Sequence, residues 1–243
     1  MGGGAAFSVR DDSSRFWTKA LGFGFAEPVT GDLIGRLTDF YRDQGAPSAS
    51  IQLAPPVIPA DWDAICAKEN LSAGAKLAKL ACEPEAVLAN VRTDLDQGLR
   101  AEAVTSARRT EYSTAMARVF GMEDEYPTAI LAATVDRPGW HAYAVYAGDR
   151  IVATASVYAN GDTAQMFGGS TLPEYRGRGA QTALIAARAR AARDAGCRWL
   201  VAETGTEKPG EHNPSLWNLR RAGFEVLYER TNWTWRPAGT PPR

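Results

Sequence analysis

The chain has 243 residues, and its hydrophobic fraction of 45% is enough to build one large core or two small ones. A formal net charge of -1 excludes a general electrostatic attraction to nucleic acid. The three cysteines are widely spaced and form no CxxC pair, which indicates a reducing compartment, so we predict a cytoplasmic protein.

Metal and membrane binding are not predicted. The two histidines, His141 and His212, belong to no HExxH motif and to no cluster of carboxylates, so we expect no bound metal. No stretch approaches the roughly 18 apolar residues of a membrane span. Residues 1–15 lack the basic and apolar regions of a signal peptide, and we expect them to form a tail without regular structure.

The first 95 residues alternate strand and helix patterns. Residues 16–25 are aromatic and partly alternating, which predicts a strand, and Thr30 is a suitable cap for a helix that ends before Gly45. The next predicted elements are a strand at 50–53, a helix at 61–69 and strands at 75–82 and 87–92. We interpret residues 1–95 as a first domain that packs against, or extends, the sheet of the second. An unrelated α/β cap is the alternative.

The polar segment TDLDQG at residues 93–98 is the predicted linker to a second domain at 96–243. The first elements predicted there are a strand at 99–104 and helices at 106–122 and 128–135. Residues 123–125, with the sequence EDE, lie between these helices, where three carboxylates can attract a cationic amine. A solvated acidic loop is the plainer interpretation.

The centre of the second domain is predicted to be an antiparallel meander. Residues 140–146, WHAYAVY, alternate large and small side chains, and Gly148-Asp149 and Asn160-Gly161 supply turns. The returning strands are predicted at 151–158 and 163–170. His141 lies in the first of these strands, where its pattern favours packing over catalysis.

The third strand leads into MFGGSTLPEYRGRGAQT at residues 166–182, which has the order of a strand, a glycine-spaced turn and a helix. Gly177 and Gly179 allow backbone conformations that are closed to other residues. A helix that begins near Arg178 points unpaired N–H groups and a partial positive charge outward, and Arg176 adds another charge. This order predicts an anion-binding cradle, with a plain structural turn as the alternative. The third glycine of a dinucleotide fingerprint and the Gly-Lys pair of a Walker loop are missing.

Beyond the loop, the pattern predicts a helix ended by Gly196 and a buried strand at 197–204. The helix has an apolar side of Ala180, Leu184, Ala187 and Ala191, while Arg188, Arg190 and Arg193 occupy other faces. A strand, a crossover helix and a parallel strand form a right-handed unit that gathers ligands at the carboxyl ends of its strands. Thr171 and Glu203 are therefore expected near one cleft.

The remaining predicted elements are a helix and final strands. Asn213 followed by Pro214 predicts a capped helix start, and Gly223 its end. Residues 224–235 predict the final strands, and the tail at 237–243 is predicted to be disordered.

The run Pro173-x-x-Arg176-Gly-Arg-Gly179-Ala180-Gln181 resembles the coenzyme A pyrophosphate loop of the GNAT superfamily of N-acetyltransferases, Q/R-x-x-G-x-G/A. Arg176 and Gly179 match its first and fourth positions, and Gln181 differs at the sixth. The segment from Asn213 to Phe224 resembles the superfamily's second coenzyme-contacting motif. The resemblance implies an α/β protein with a mixed sheet and the GNAT acyl-CoA N-acyltransferase fold. It also implies an additional, degenerate GNAT-like half at residues 1–95.

The resemblance further implies a set of coenzyme A contacts. These are Thr171, Leu172, Arg176, Gly177, Arg178, Gly179, Ala180, Gln181, Thr182, Asn213 and Ser215. In related enzymes, backbone groups at the end of the strand before the loop polarise the thioester, and Thr171 occupies that place here. Asn213 is expected to reach the pantetheine arm, to cap its helix, or to do both.

Glu203 is the predicted general base, because partial burial after an apolar run raises the pKa of a carboxyl from about 4.3 toward a range useful for accepting a proton from an amine. A salt bridge at the strand end and deprotonation through a water chain are the alternatives. Leu219 stands where many family members carry a tyrosine, four residues before the glycine of the Gly-Phe pair.

The expected reaction is acetyl transfer from acetyl-coenzyme A to a primary amine of a small molecule, by direct attack in a ternary complex. A non-catalytic acyl-coenzyme A sensor is the alternative, because Leu219 supplies no phenol. A transferase for longer acyl groups is a third interpretation. A homodimer is compatible with the sequence, and neither nucleic acid nor a membrane is an expected partner.

Overall fold

A computed structural model of the chain describes residues 2–10, 12 and 14–239. These residues form two compact units. Unit 2 comprises Lys79–Leu227, and unit 1 comprises the described residues up to Ala78 and from Tyr228 onward. In sequence, unit 2 is therefore an insertion between two parts of unit 1.

The described residues form both strands and helices. The strands are β1 (Ala5–Phe7), β2 (Lys19–Leu21), β3 (Ala49–Gln52), β4 (Leu71–Cys82), β5 (Leu99–Ala103), β6 (Trp140–Ala147), β7 (Arg150–Asn160), β8 (Thr163–Thr171), β9 (Trp199–Gly205) and β10 (Glu225–Trp235). The helices are α1 (Gly31–Asp43), α2 (Trp62–Glu69), α3 (Pro84–Asn90), α4 (Arg109–Phe120), α5 (Glu125–Ala132), α6 (Ala180–Asp194) and α7 (Pro214–Arg221). Among the described residues, no helix has both the length and the apolar content that a membrane crossing requires.

The sheet of unit 1 has the strand order β1-β2-β3-β10, in which β2 and β3 are parallel and the other pairs are antiparallel. The hydroxyl of Thr30 accepts a hydrogen bond from the Leu33 amide (3.2 Å) and fixes the start of α1. Apolar residues recur along α1 at helical spacing, so that one face is buried in a core that includes Ile51 and Trp235.

Unit 2 contains the strand order β9-β8-β7-β6-β5. Strands β5 to β8 form an antiparallel meander, and α6 crosses over from β8 to its parallel neighbour β9. Ala180 and Leu184 of α6 pack into a core with Val145, Val152 and Ala153. The carboxyl ends of β8 and β9 and the N-terminus of α6 therefore share one edge of the sheet.

Most predicted elements are confirmed. The meander, its two turns, the crossover helix, the following strand and the helix capped by Asn213 all occur close to the predicted bounds. The segment at 93–98 has no regular secondary structure but lies within unit 2, so its role as a linker stays a prediction. Helix α5 begins earlier than predicted, with Pro127 inside its first turn. The unit boundaries fall within β4 and β10, and the division into domains at 1–95 and 96–243 stays a prediction.

The strand predicted at 87–92 is wrong, because these residues belong largely to α3. Glu83 is extended and Pro84 takes the first helical position, where its missing N–H is not needed. Val87 is buried by the helix. In so short a segment, the spacing of the apolar residues fits both the helical and the strand period. The proline at the first helical position favours the helix.

The N-terminal tail expected over residues 1–15 is also partly wrong, because β1 pairs with β2. The Asp12 carboxylate accepts hydrogen bonds from the Trp17 and Thr18 amides (2.7 and 2.9 Å) and holds the connection between these strands. The strand predicted at 16–25 is shorter than expected, since the backbone turns at Gly22, where φ is +80°. The disorder predicted for the C-terminal tail falls mainly on residues 240–243, outside the described residues.

Candidate functional site

Strands β8 and β9 separate before they end. Their parallel pairing joins Thr163–Gln165 to Trp199–Val201, although β8 continues to Thr171 and β9 to Gly205. The Gln165 amide lies at the point of separation, where its Nε2 donates to the carbonyl oxygens of Met166 (2.8 Å) and Val201 (3.4 Å). Beyond that point, no backbone pairing joins the two strands among the described residues.

A β-bulge bends β8 where it leaves β9. Ser156 of β7 pairs with Phe167 and Thr154 pairs with Ser170, so Gly168 and Gly169 together face one residue of β7. Gly168 has φ of +62°, which favours glycine, and an added Cβ would lie 2.5 Å from Met116 Cε, so the methionine side chain would have to move. The Thr154 hydroxyl donates to the Gly168 carbonyl oxygen (3.2 Å) and lies 2.6 Å from the Ser170 hydroxyl, which fixes the bulge from inside.

The loop after β8 leads into α6, whose N-terminus has no side-chain cap. Gly177 and Gly179 have φ of +76° and +78°, in the left-handed region that favours glycine. Gly179 is the N-cap of α6 and has no side chain with which to satisfy the first amides of the helix. The first turn contains no acidic residue. Unpaired N–H groups and the positive end of the helix dipole together can bind a phosphate at this position.

Gly179 also contacts the segment that precedes β5. A Cβ at position 179 would lie 2.2 Å from the carbonyl oxygen of Asp94, so the backbones meet there without room for a side chain. The Asp96 amide donates to the Arg178 carbonyl oxygen (3.4 Å). Glycine at 179 is thus required by the protein's own packing as well as by its backbone conformation.

The arginines of the loop are exposed and oriented by their neighbours. Arg176 Nε donates to the Thr171 carbonyl oxygen (3.4 Å), which ties the loop to the end of β8. The Arg178 guanidinium lies 5.3 Å from the centre of the Tyr175 ring, and its Nε is 4.0 Å from Asp96 Oδ2. These contacts leave positive charge beside the N-terminus of α6.

Gln181 points into the protein. Its Nε2 donates to the Ser170 carbonyl oxygen and to the Thr171 hydroxyl, both at 2.8 Å. The side chain therefore locks the first turn of α6 to the end of β8. Its backbone amide and that of half-buried Thr182 stay in the first turn, where amides have no partner within the helix.

Asn213 is a helix cap with all of its amide groups engaged. Its Oδ1 accepts from the Ser215 and Leu216 amides (3.0 and 3.3 Å), and its Nδ2 donates to Thr204 Oγ1 (3.3 Å) and to the Gly205 carbonyl oxygen (2.7 Å). The side chain fastens the start of α7 to the carboxyl end of β9. Ser215 is exposed at this junction.

The residues predicted for catalysis lie on the separated parts of the two strands. Thr171 ends β8 with a buried side chain, and half-buried Glu203 lies on β9 beyond the last paired residue. Leu172 is buried, and its amide donates to the Val152 carbonyl oxygen (2.9 Å). Leu219, at the position where many family members carry a tyrosine, is buried on the inner face of α7.

Two features of this region were missed by the sequence analysis. The bulge could have been predicted from the adjacent glycines, Gly168 and Gly169, because glycine inside a strand often marks a bulge. The prediction that Arg188 lies with Arg190 and Arg193 away from the buried side of α6 is wrong, because Arg188 is buried. A single arginine on a helix carries no local signal that it faces inward.

Comparisons with solved structures report the fold. The chain is similar to a functionally unknown conserved protein from Staphylococcus epidermidis, with 13% identity, a TM-score of 0.66 and coverage of 97% of this chain and 92% of that one. It is similar to a GCN5-related N-acetyltransferase from Kribbella flavida, with 18% identity, a TM-score of 0.64 and coverage of 94% and 85%. A tandem GNAT protein from the clavulanic acid biosynthesis pathway matches with 16% identity, a TM-score of 0.62 and coverage of 92% and 76%.

A search of curated proteins found no match. The family model of the acetyltransferase (GNAT) domain matches residues 68–208, which is more than half of the chain. This match and the structural neighbours confirm the predicted GNAT fold, a mixed α/β architecture with an additional α/β region before it. The chain therefore belongs to the GNAT family of acetyltransferases.

Proposed function

We propose that this protein is an N-acyltransferase that transfers the acyl group of a coenzyme A thioester, acetyl in the simplest case, to a primary amine of a small molecule. One observation carries the proposal: the uncapped N-terminus of α6, flanked by Arg176 and Arg178, opens at the edge where β8 and β9 have separated. The uncapped helix N-terminus suits a pyrophosphate. The unpaired strand edge beside that helix end suits a pantetheine arm.

The coenzyme is proposed to bind along the loop and the separated strands. The pyrophosphate would lie against the backbone of Arg176, Gly177, Arg178, Gly179, Ala180, Gln181 and Thr182. The pantetheine arm would follow Thr171 and Leu172 on one side and the start of α7, at Asn213 and Ser215, on the other. Since the Asn213 side chain is fully engaged in capping, its role is to position α7.

The chemical step is direct attack of the amine on the thioester carbonyl. A backbone donor near Thr171 would stabilise the oxyanion, and one oriented donor of this kind lowers a barrier by about 3 kcal/mol. Glu203, on the opposite strand, would accept the proton of the ammonium group. The acidic residues 123–125 lie before and at the start of α5 and would favour a cationic acceptor.

A non-catalytic acyl-coenzyme A sensor is the second candidate, because Leu219 offers no phenol to protonate the departing thiolate. A coenzyme A thiol titrates near the cysteine value of about 8.5, so its thiolate is a tolerable leaving group at neutral pH. Loss of the tyrosine therefore does not exclude turnover, and we favour the enzyme. A cytoplasmic location and a homodimeric assembly belong to the same proposal.

The proposal is tested by thiol release from acetyl-coenzyme A in the presence of amines, amino acids and peptides, with calorimetric measurement of coenzyme A binding in parallel. We expect binding together with amine-dependent thiol release. Binding without turnover across the panel would favour the sensor, and absence of coenzyme A binding would refute both candidates.

Glu203→Gln tests the base. We expect the rate to fall by a factor of about 100 or more, the usual contribution of a general base, with little change in coenzyme A affinity. The fall in rate at acidic pH that protonation of the Glu203 carboxylate causes should also be absent from this variant. Glu211→Gln, an exposed carboxylate on the connection from β9 to α7, is the matched control. An unaltered rate and pH profile in Glu203→Gln would remove this residue as the base.

A further inference from the structure

Arg188 is a buried cation that the proposed mechanism does not use. Only 3% of its surface is exposed, and its Nε donates to the Leu184 carbonyl oxygen (3.1 Å). Within the described residues, its two terminal guanidinium nitrogens have no hydrogen-bond acceptor and no carboxylate forms an ion pair with it. Buried charges in proteins are normally paired, so an anion placed beside this guanidinium would be stabilised.

The surroundings of Arg188 supply no compensating charge. Burial lowers the pKa of the Arg188 guanidinium to about 9, a shift that Tyr112 opposes slightly, so the group remains positive at neutral pH. Tyr112 is itself a neutral phenol, since burial raises its pKa well above the usual value. The site is therefore electrostatically incomplete in the protein alone.

Arg188 lies close to the candidate active site. Gly169 of the bulge is exposed, and a Cβ added there would lie 3.6 and 3.7 Å from the terminal nitrogens of Arg188. The same Cβ would lie 3.3 Å from Gln181 Oε1, and Gln181 in turn donates to the Thr171 hydroxyl. Gln181 and the guanidinium of Arg188 therefore lie together directly behind the exposed backbone of Gly169.

We propose that Arg188 binds the free carboxylate of a dicarboxylic acyl group, so that this protein accepts acyl-coenzyme A thioesters that end in a carboxylate. The inference rests on the proposed function, which places the thioester near Thr171. A guanidinium has the planar fork that matches a carboxylate with two parallel hydrogen bonds. The bulge and the glycine at 169 then serve acyl specificity as well as backbone geometry.

A short dicarboxylic acyl group suits a site so near the thioester. Gly169 and Thr171 are two residues apart on a strand, a distance of about 6.6 Å. The carboxyl carbon of a succinyl group lies about 3.9 Å from its thioester carbon. Succinyl is therefore the dicarboxylic acyl group chosen for the test.

The reaction keeps the ordinary balance of acyl transfer. The amine nitrogen forms a bond to the thioester carbonyl carbon, and the carbon–sulfur bond breaks with its electron pair on sulfur. The ammonium proton passes to the base or to water, and the products are free coenzyme A and an amide that retains its terminal carboxylate. Arg188 holds that carboxylate throughout and takes no part in bond making.

The experiment measures binding by calorimetry on the full chain, so that the acceptor need not be known. Coenzyme A, butyryl-coenzyme A and succinyl-coenzyme A are compared, the last two having the same number of carbons in the acyl chain. We expect succinyl-coenzyme A to bind the wild-type protein at least about tenfold more tightly than butyryl-coenzyme A. In Arg188→Met this preference should disappear, while the affinity for coenzyme A itself stays unchanged.

Two further variants keep the test decisive. Arg190→Met changes an exposed arginine of the same helix and should retain the preference for succinyl-coenzyme A. Gly169→Ala places a methyl group beside the terminal nitrogens of Arg188, and should weaken succinyl-coenzyme A selectively even if Arg188→Met does not fold. Thermal unfolding of each variant reports whether it is folded.

The outcomes separate this inference from the proposed function. If coenzyme A does not bind, both fail. If coenzyme A binds but the wild-type protein shows no preference for succinyl over butyryl, only the present inference is overturned. It is overturned as well if Arg188→Met or Gly169→Ala weakens all three ligands equally.

Discussion

The N-termini of α1 and α6 both follow a strand and a glycine-containing turn. They differ in whether a side chain caps the helix and in the charge of the first turn. In unit 1, Thr30 caps α1 with its hydroxyl, and Asp32 places a negative charge in the first turn. In unit 2, Gly179 leaves the first turn of α6 without a side-chain cap and without an acid. The first helix end is satisfied from within the chain, and the second is left open.

This difference shows what makes a helix end a site. Gly22 and Gly24 before α1 have φ of +80° and +92°, in the same left-handed region as Gly177 and Gly179. Glycine geometry is therefore common to both turns and does not distinguish them. The absence of a cap, the absence of an acid and the presence of neighbouring arginines at α6 do, because they determine whether an anion is attracted.

The largest expected effect comes from giving α6 the acidic first turn of α1. Thr182→Asp should weaken coenzyme A binding by about 30-fold, since two like charges about 8 Å apart repel by about 2 kcal/mol at an effective dielectric constant of about 20. Calorimetry measures this loss. Helix stability should instead rise slightly, because an acid near a helix N-terminus is favourable by about 0.3–1 kcal/mol.

Asp32→Asn is the matched control, because it removes the corresponding acid from α1. It should leave coenzyme A affinity unchanged and reduce the free energy of unfolding slightly. If Thr182→Asp binds coenzyme A as tightly as the wild-type protein, the pyrophosphate does not lie at α6.

A smaller effect is expected from Gly177→Ala. The added methyl group meets no atom within 4 Å, so the protein itself does not clash, but φ of +76° is unfavourable for alanine by about 1–2 kcal/mol. A ligand held by the backbone of the loop would also be displaced, and we expect coenzyme A affinity to fall by about tenfold. Gly179 is unsuitable for this test, because a side chain there would strike Asp94.

Gly196→Ala controls for backbone strain, since Gly196 after α6 has the same φ of +76° and equally open space. Both variants should lose similar stability in chemical denaturation. Equal coenzyme A affinities for the two would show that the loop backbone does not approach the ligand.

The smallest effect, with no change in ligand binding, is expected from Thr30→Ala. Loss of the cap should lower the free energy of unfolding by about 1 kcal/mol, because the Leu33 amide loses its partner. Denaturant titration measures the change, and calorimetry should give wild-type coenzyme A affinity. If Thr30→Ala lowers coenzyme A affinity as much as Gly177→Ala does, then coenzyme A binding is not specific to the N-terminus of α6.

The sequence predicted the long elements of unit 2 because their patterns were redundant. The meander combines alternation with two recognisable turns, and the crossover helix is predicted to begin near Arg178 and to end at Gly196. Short elements are harder to predict from sequence. The pattern predicts a strand where α3 forms, and it does not predict β1, since three residues carry no measurable period. Their conformation depends on partners elsewhere in the chain.

The candidate site shows the same limit. The glycines and arginines of the loop were found because a local motif carries them, and Asn213 because capping is local. The inward turn of Gln181, the contact of Gly179 with Asp94 and the burial of Arg188 depend on which segments meet in three dimensions. No spacing in the sequence reports such contacts.

The strand order of unit 1 has a consequence for synthesis of the protein. The edge of β3 that includes Ile51 is covered by β10, whose Trp233 and Trp235 pair with Ile51 and Ala49. A ribosome makes all of unit 2 before it reaches those tryptophans, so the nascent chain carries an open strand edge until then. We expect that interval, rather than the folding of unit 2, to be the stage most exposed to aggregation and most dependent on chaperones.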